Sequence, residues 1–312
     1  MVEQGEVPEK KNLPKGEQER RDLLDKRQLL LRELSELGFF GGYCSACGAK
    51  CTIQSMKNMI AGEKVSITGT SDDVEQWKSL LQTYLKSFDF DAADKTVKKI
   101  LEASPLDAYA NELYPKISDW KDYDIKDGIL YKYNGKAKRT EVPYGVITIE
   151  GGAFADCVVE EVVLPDTVGK LCGDVIGAFR GCKKLGIINL PESVKYVGEA
   201  AFEGTSLVKV CIPQSVEVIG AKAFAFCSSL AEITIPESVK HIGVAAFSYC
   251  TALSSVRMES LVCRISDSIF AGCTMLTHFE IPASIQEIGA LAFSQSGLQE
   301  IEIPSGVTFV GG

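Results

Sequence analysis

The sequence predicts an α+β chain in which a solenoid of short β-strands fills the C-terminal half, behind an N-terminal helical region. Three observations lead there. Phenylalanines recur at 154, 179, 202, 224, 247, 270 and 293, in steps of 25, 23, 22, 23, 23 and 23. Prolines that close an apolar run recur at 143, 165, 191, 213, 236, 282 and 304, with Glu259 in the one missing place. Upstream of the array, Leu23, Leu30, Leu34 and Leu37, and again residues 73–121, follow a helical period instead. A unit this short cannot bury its own apolar face and must stack on its neighbours.

Composition narrows the function class. The net charge of −9 argues against a nucleic-acid partner, which calls for a basic stripe. Runs of 18 or more apolar residues are absent, so membrane insertion is not expected. The start, Met1-Val-Glu-Gln-Gly-Glu6, lacks a basic segment followed by an apolar core, which leads to the expectation of a cytoplasmic chain. Five of the 11 cysteines (Cys157, Cys182, Cys227, Cys250 and Cys273) fall three residues after a repeat phenylalanine. A cysteine at one fixed repeat position reads as a small buried thiol rather than half of a disulfide.

Residues 1–40 read as a charged tail running into an amphipathic helix, which either packs on its own chain or pairs with a second copy. Residues 41–72 form a cysteine-rich knuckle and linker. Within them Tyr43-Cys-Ser-Ala-Cys-Gly-Ala-Lys50 resembles the first half of a bacterial zinc ribbon, in which two thiolates converge on a tetrahedral metal. Cys44, Cys47 and Cys51 are the candidate zinc ligands; the alternative is inert or redox-labile thiols. The sequence requires no other cofactor.

Across 73–121, Trp77, Leu80, Leu81, Tyr84, Ala93, Val97, Ile100 and Pro105 occupy, in order, the key slots of a tetratricopeptide-like unit, although Ile100 departs from the small residue expected there. One such unit makes no peptide groove, so this segment is expected to be a helical spacer and partial cap. Residues 122–141 read as a capping β-hairpin. Gly128–Tyr133 and Lys136–Val142 are its strands, and Asn134-Gly135 is its turn, because a type I′ turn needs positive φ at both central residues.

The repeats occupy 142–312. In the unit from Leu230, the side chains of Leu230, Ile233, Ile235, Val239, Ile242, Ala246, Phe247 and Cys250 are expected to point inward, with Pro236 ending the strand and Gly243 making a corner. The pattern Ile-Pro-x-Ser-Val-x-x-Ile-Gly-x-x-Ala-Phe-x-x-Cys resembles the BspA-type leucine-rich repeat, over just over half the chain. That resemblance implies a right-handed, curved leucine-rich-repeat solenoid of short strands. It also implies a non-catalytic protein-binding or adhesion role, in proteins that are mostly bacterial and often at the cell surface. Two rungs depart from the pattern: Leu171-Cys-Gly-Asp-Val175 lengthens a corner, and the unit at Met258 lacks its proline and has Ser266 at the glycine corner.

Function is then expected on the outward positions. One strand column reads Val163, Asn189, Cys211, Thr234, Arg257, Glu280 and Glu302; its neighbour reads Glu161, Ile187, Lys209, Glu232, Ser255, His278 and Glu300. The binding-face candidates are Asn189, Lys209, Thr234, Arg257, His278, Glu280, Glu300 and Glu302, and the acidic end suits a basic protein partner. Catalysis is not expected: His241 and His278 sit in outward slots filled by unrelated residues in other rungs, and no nucleophile–base pairing or phosphate loop is evident. The last unit stops at Val310-Gly-Gly312 without its return segment, so self-association through an uncapped rung is a further expectation.

Overall fold

A computed structural model describes residues 39–40, 43–44, 71–173, 176–259 and 261–312. The zinc candidates Cys47 and Cys51 and the helix expected before residue 38 lie outside the described residues. Phe39–Phe40 (β1) and Tyr43–Cys44 (β2) pair antiparallel. The chain divides into two compact units, residues 1–82 with 94–114, and residues 83–93 with 115–312.

Helices α1 (Ser71–Lys86), α2 (Phe90–Ala103) and α3 (Ala108–Trp120) cover the expected helical segment. Asp89 and Asp107 cap α2 and α3, their carboxylates accepting the amides of Ala92 and Ala110 at 3.0 Å. In the first unit, Lys78 ties α1 to Asp107 at 2.7 Å, and Lys99 lies over the Trp77 ring at 4.1 Å. No helix among the described residues is long and apolar enough to cross a membrane.

The second unit is a parallel β-solenoid. Short strands β6 (Thr148–Ile149), β8 (Lys170–Leu171), β10 (Tyr196–Val197), β11 (Val218–Ile219) and β13 (His241–Ile242) stack in register on one side. β15 (Arg264–Ile265), β16 (Glu287–Ile288) and β17 (Phe309–Val310) continue that side as a separate sheet. A second side carries β7 (Glu161–Val163) paired with β9 (Ile187–Ile188), and β12 (Glu232–Ile235) paired with β14 (Ser255–Met258). The third side is the turn that bears the repeat phenylalanine.

The entry hairpin differs from the expectation. β3 (Tyr123–Lys126) and β4 (Ile129–Tyr133) are antiparallel, and their turn is Asp127-Gly128, with φ of 52° and 75°. Asp-Gly has the same left-handed tolerance as Asn-Gly, and it takes the turn because β4 behind it pairs parallel with β6. Asn134-Gly135 instead makes the corner to β5 (Arg139–Glu141), which pairs parallel with β7, while β4 pairs parallel with β6. The expected cap is therefore half hairpin and half a first rung.

All eight inward side chains expected in the unit from Leu230 are buried. Because parallel rungs repeat one backbone geometry, each phenylalanine adopts the same orientation as the one below. The rings from Phe154 to Phe293 stack with centroids 4.7–5.9 Å apart and interplanar angles of 3–22°. Tyr133 and Tyr123 extend the column at its entry, 5.1 and 6.2 Å from Phe154, and Tyr123 shares a 2.6 Å hydrogen bond with Thr140. Trp120 closes this end, its indole N–H donating to the Glu141 carbonyl at 3.1 Å and its ring 5.7 Å from Phe90.

Of the two irregular rungs, the long corner after Leu171 leaves the short-strand ladder intact between β8 and β10. Ser266 coincides with a break. In the regular rungs this corner lies directly on the preceding backbone: a Cβ at Gly243 would collide with Gly220 and Ala221. Ser266 has a Cβ, turns its hydroxyl to the Ile242 carbonyl, and the sheet divides between β13 and β15.

Candidate binding faces

The strand face is built by alternation. Inward residues such as Ile233 and Ile235 are held in the core, so Glu232 and Thr234 between them must face solvent. The eight predicted candidates, Asn189, Lys209, Thr234, Arg257, His278, Glu280, Glu300 and Glu302, are all exposed. They do not act alike. Asn189 turns its amide to the previous rung, accepting from the Leu164 N–H at 2.8 Å and donating to the Leu164 carbonyl at 3.0 Å. It thus continues the ladder with a side chain. Lys209 pairs with Glu232 at 2.5 Å across one rung, and Arg257 pairs with Glu259 at 3.2 Å. Thr234 stands in register beside Arg257.

The other four come together. His278, Glu280, Glu300 and Glu302 line one cleft of about 700 Å³, with Phe279, Ile281, Ile301 and Pro304 as its apolar lining. The surrounding backbone is open. Among the described residues, 278–281 and 300–303 form neither strands nor rung-to-rung hydrogen bonds, unlike β12 and β14 just before them. Cations answer the carboxylates of other rungs, as in Lys138–Glu160 at 3.1 Å and Arg139–Glu161 at 3.0 Å. Glu280, Glu300 and Glu302 have no ion-pair partner among the described residues.

The interior thiols are structural. Cys182, Cys227, Cys250 and Cys273 donate to the phenylalanine carbonyl of the previous rung at 2.8–3.2 Å, whereas Thr205, at the same repeat position, donates to the Phe202 carbonyl of its own rung at 3.0 Å. Burial pushes the Cys182 and Cys273 thiols up to about 12. Hydrogen bonding to Cys227, with burial, holds Cys250 well above the ordinary thiol range. Such protonated thiols are poor nucleophiles. Among the described residues no cluster of three or more metal-ligating side chains occurs.

The turn face was not anticipated from sequence. Two residues after each repeat phenylalanine comes a left-handed position: Asp156, Gly181, Gly204, Phe226, Tyr249, Gly272 and Gln295, with φ from 56° to 74°. Phe226 and Tyr249 stack there at 4.9 Å with both rings about half exposed. The sequence signal for it is a pair of aromatics 23 residues apart in one repeat register.

Comparison with known proteins agrees with the architecture. The family model described as the BspA type leucine rich repeat region matches in six copies, over residues 124–202, 147–277 and 197–312. No curated protein matches. Among solved structures, a leucine-rich repeat protein of T. pallidum is 30% identical, with a TM-score of 0.49, over 61% of this chain and 84% of that one. One from Bacteroides ovatus is 28% identical, with a TM-score of 0.50, over 61% of this chain and 59% of that one. With its repeat matched from residue 124 to residue 312, the chain belongs to the BspA-type leucine-rich repeat family.

Proposed function

We propose that the protein is a non-enzymatic binding scaffold of the adhesion type, and that the cleft at 278–304 holds a basic, extended segment of a protein partner. One observation carries the reading: three carboxylates with no ion-pair partner among the described residues line one cleft with open backbone on both sides. Unpaired carboxylates attract lysine and arginine and speed encounter. Open N–H and C=O groups suit an extended chain, which satisfies them by strand addition. The apolar lining takes the stems of the basic side chains. Membership of the family supports an interaction role, and display at the cell surface is part of the same proposal.

Fluorescence anisotropy with labelled lysine-rich peptides tests it. Binding should weaken as salt rises and fall at least about tenfold when Glu280, Glu300 and Glu302 are all changed to Gln, a loss on the order of 1.4 kcal/mol. Equal binding by the triple variant, or by an acidic peptide of the same length, rejects the cleft.

A further inference from the structure

On the turn face, away from the strand columns, the repeat makes a slot that no strand-face binding explains. The left-handed positions run Asp156, Gly181, Gly204, Phe226 and Tyr249, one per rung. Phe226 and Tyr249 stack on each other with parallel rings. At the next two places in the column, Gly204 and Gly181, the side chain is missing. One face of Phe226 therefore looks across the bare rung of Gly204 toward Asp156, whose carboxylate leans over Gly181. The resulting cavity is about 450 Å³.

Its floor is rigid. The amides of Asp156, Gly181, Gly204 and Phe226 each donate to a carbonyl of the following rung, at 2.8–2.9 Å. The rim carries charges of both signs, Asp156, Lys183 and the Arg180–Glu203 pair at 2.8 Å, beside Ala155 and the exposed Ile176.

We propose that this slot binds a carbohydrate, one sugar ring stacking its C–H face on Phe226 while its hydroxyls meet the rim. Rungs in a parallel ladder lie roughly 4.8 Å apart, so the vacant place beside Phe226 is one stacking distance deep, with the Asp156 carboxylate beyond it over Gly181. A flat occupant continues the Tyr249–Phe226 stack. The Asp156 carboxylate accepts from hydroxyls and Lys183 donates to them, beside the Arg180–Glu203 pair; a ligand rich in both donors and acceptors answers this rim. An aromatic side chain from a protein would cover Asp156 and Lys183 without supplying hydrogen bonds, and burying such groups unpaired is costly. The pre-formed floor means that no loop has to be ordered on binding.

The test is ligand-observed saturation-transfer NMR on the full chain. The probes are methyl β-glucoside, methyl β-galactoside, methyl α-mannoside and N-acetylglucosamine, with p-cresol as the aromatic control. At least one sugar should receive saturation, strongest on the protons of a single ring face. Phe226→Gly suits the left-handed backbone and removes only the ring; it should weaken binding about tenfold, the loss an aromatic stacking contact carries. Gly204→Asn keeps a residue tolerant of that backbone and fills the slot, so it should block binding even if the first variant misfolds. Circular dichroism confirms that each variant is folded. Transfer to none of the four sugars, transfer undiminished in both folded variants, or binding of p-cresol alone overturns the assignment.

Discussion

At the scale of the residue, the turn of each rung is held in a conformation that most of its side chains disfavour. Lys222, Ala245, Ser268 and Leu291, two residues before the repeat phenylalanine, have φ of 54–56°. A left-handed L-residue costs roughly 1–2 kcal/mol, and glycine avoids most of that at an entropic cost of about 0.5–1 kcal/mol. Lys222 is exposed and forms none of the ion pairs that its neighbours do. Lys222→Gly should therefore raise stability by about 0.5–1 kcal/mol, read as a higher urea midpoint with an unchanged slope. The buried thiols set a pH limit. An unfolded chain ionises them near the ordinary value of 9.0, whereas folded Cys182 and Cys273 keep their protons to about 12. The stability they contribute is complete below pH 9.0 and is lost as pH rises toward about 12, by up to about 1.4 kcal/mol per thiol per pH unit. Denaturation series at pH 8 and pH 10 check this, and the fall should be shallower in a Cys182→Ala, Cys273→Ala variant.

At the scale of the element, one corner position decides whether two short strands stay in one sheet. Gly243 fits because it has no Cβ, and Ser266 stands where the ladder divides. Gly243→Ala should cost about 1–3 kcal/mol through the forced backbone shift, whereas Gly312→Ala, with nothing within 4 Å, should be neutral; thermal melts separate the two. The same elements show what was legible in the sequence. Period and alternation settled the eight inward residues from Leu230 to Cys250, because burial leaves a strand only one choice of face. They did not settle the entry turn, since Asp127-Gly128 and Asn134-Gly135 carry equal local signals and only pairing with Thr148–Ile149 distinguishes them. Of the candidate site, exposure was readable throughout. The convergence of His278, Glu280, Glu300 and Glu302 was not, because it depends on where the ladder opens, and the Phe226–Tyr249 platform lay in positions that look arbitrary within one repeat.

At the scale of the whole molecule, a spine of rings runs the length of the solenoid's core. Each fully buried phenylalanine touches its counterparts above and below, so stability is a sum of nearest-neighbour terms. Phe224→Ala, at 0% exposure between two stacked neighbours, should cost about 3–5 kcal/mol. Phe293→Ala, only partly buried, should cost distinctly less, and hydrogen exchange should report loosening confined to the rungs beside each change. Because the rungs bearing Cys227, Cys250 and Cys273 meet through the same seam of phenylalanine, thiol and carbonyl, removing one 23-residue unit from that stretch joins surfaces that already fit. The protein is in this sense a ruler graduated in units of a ring stack, and the distance between its turn-face slot and its acidic cleft is set by how many units lie between them.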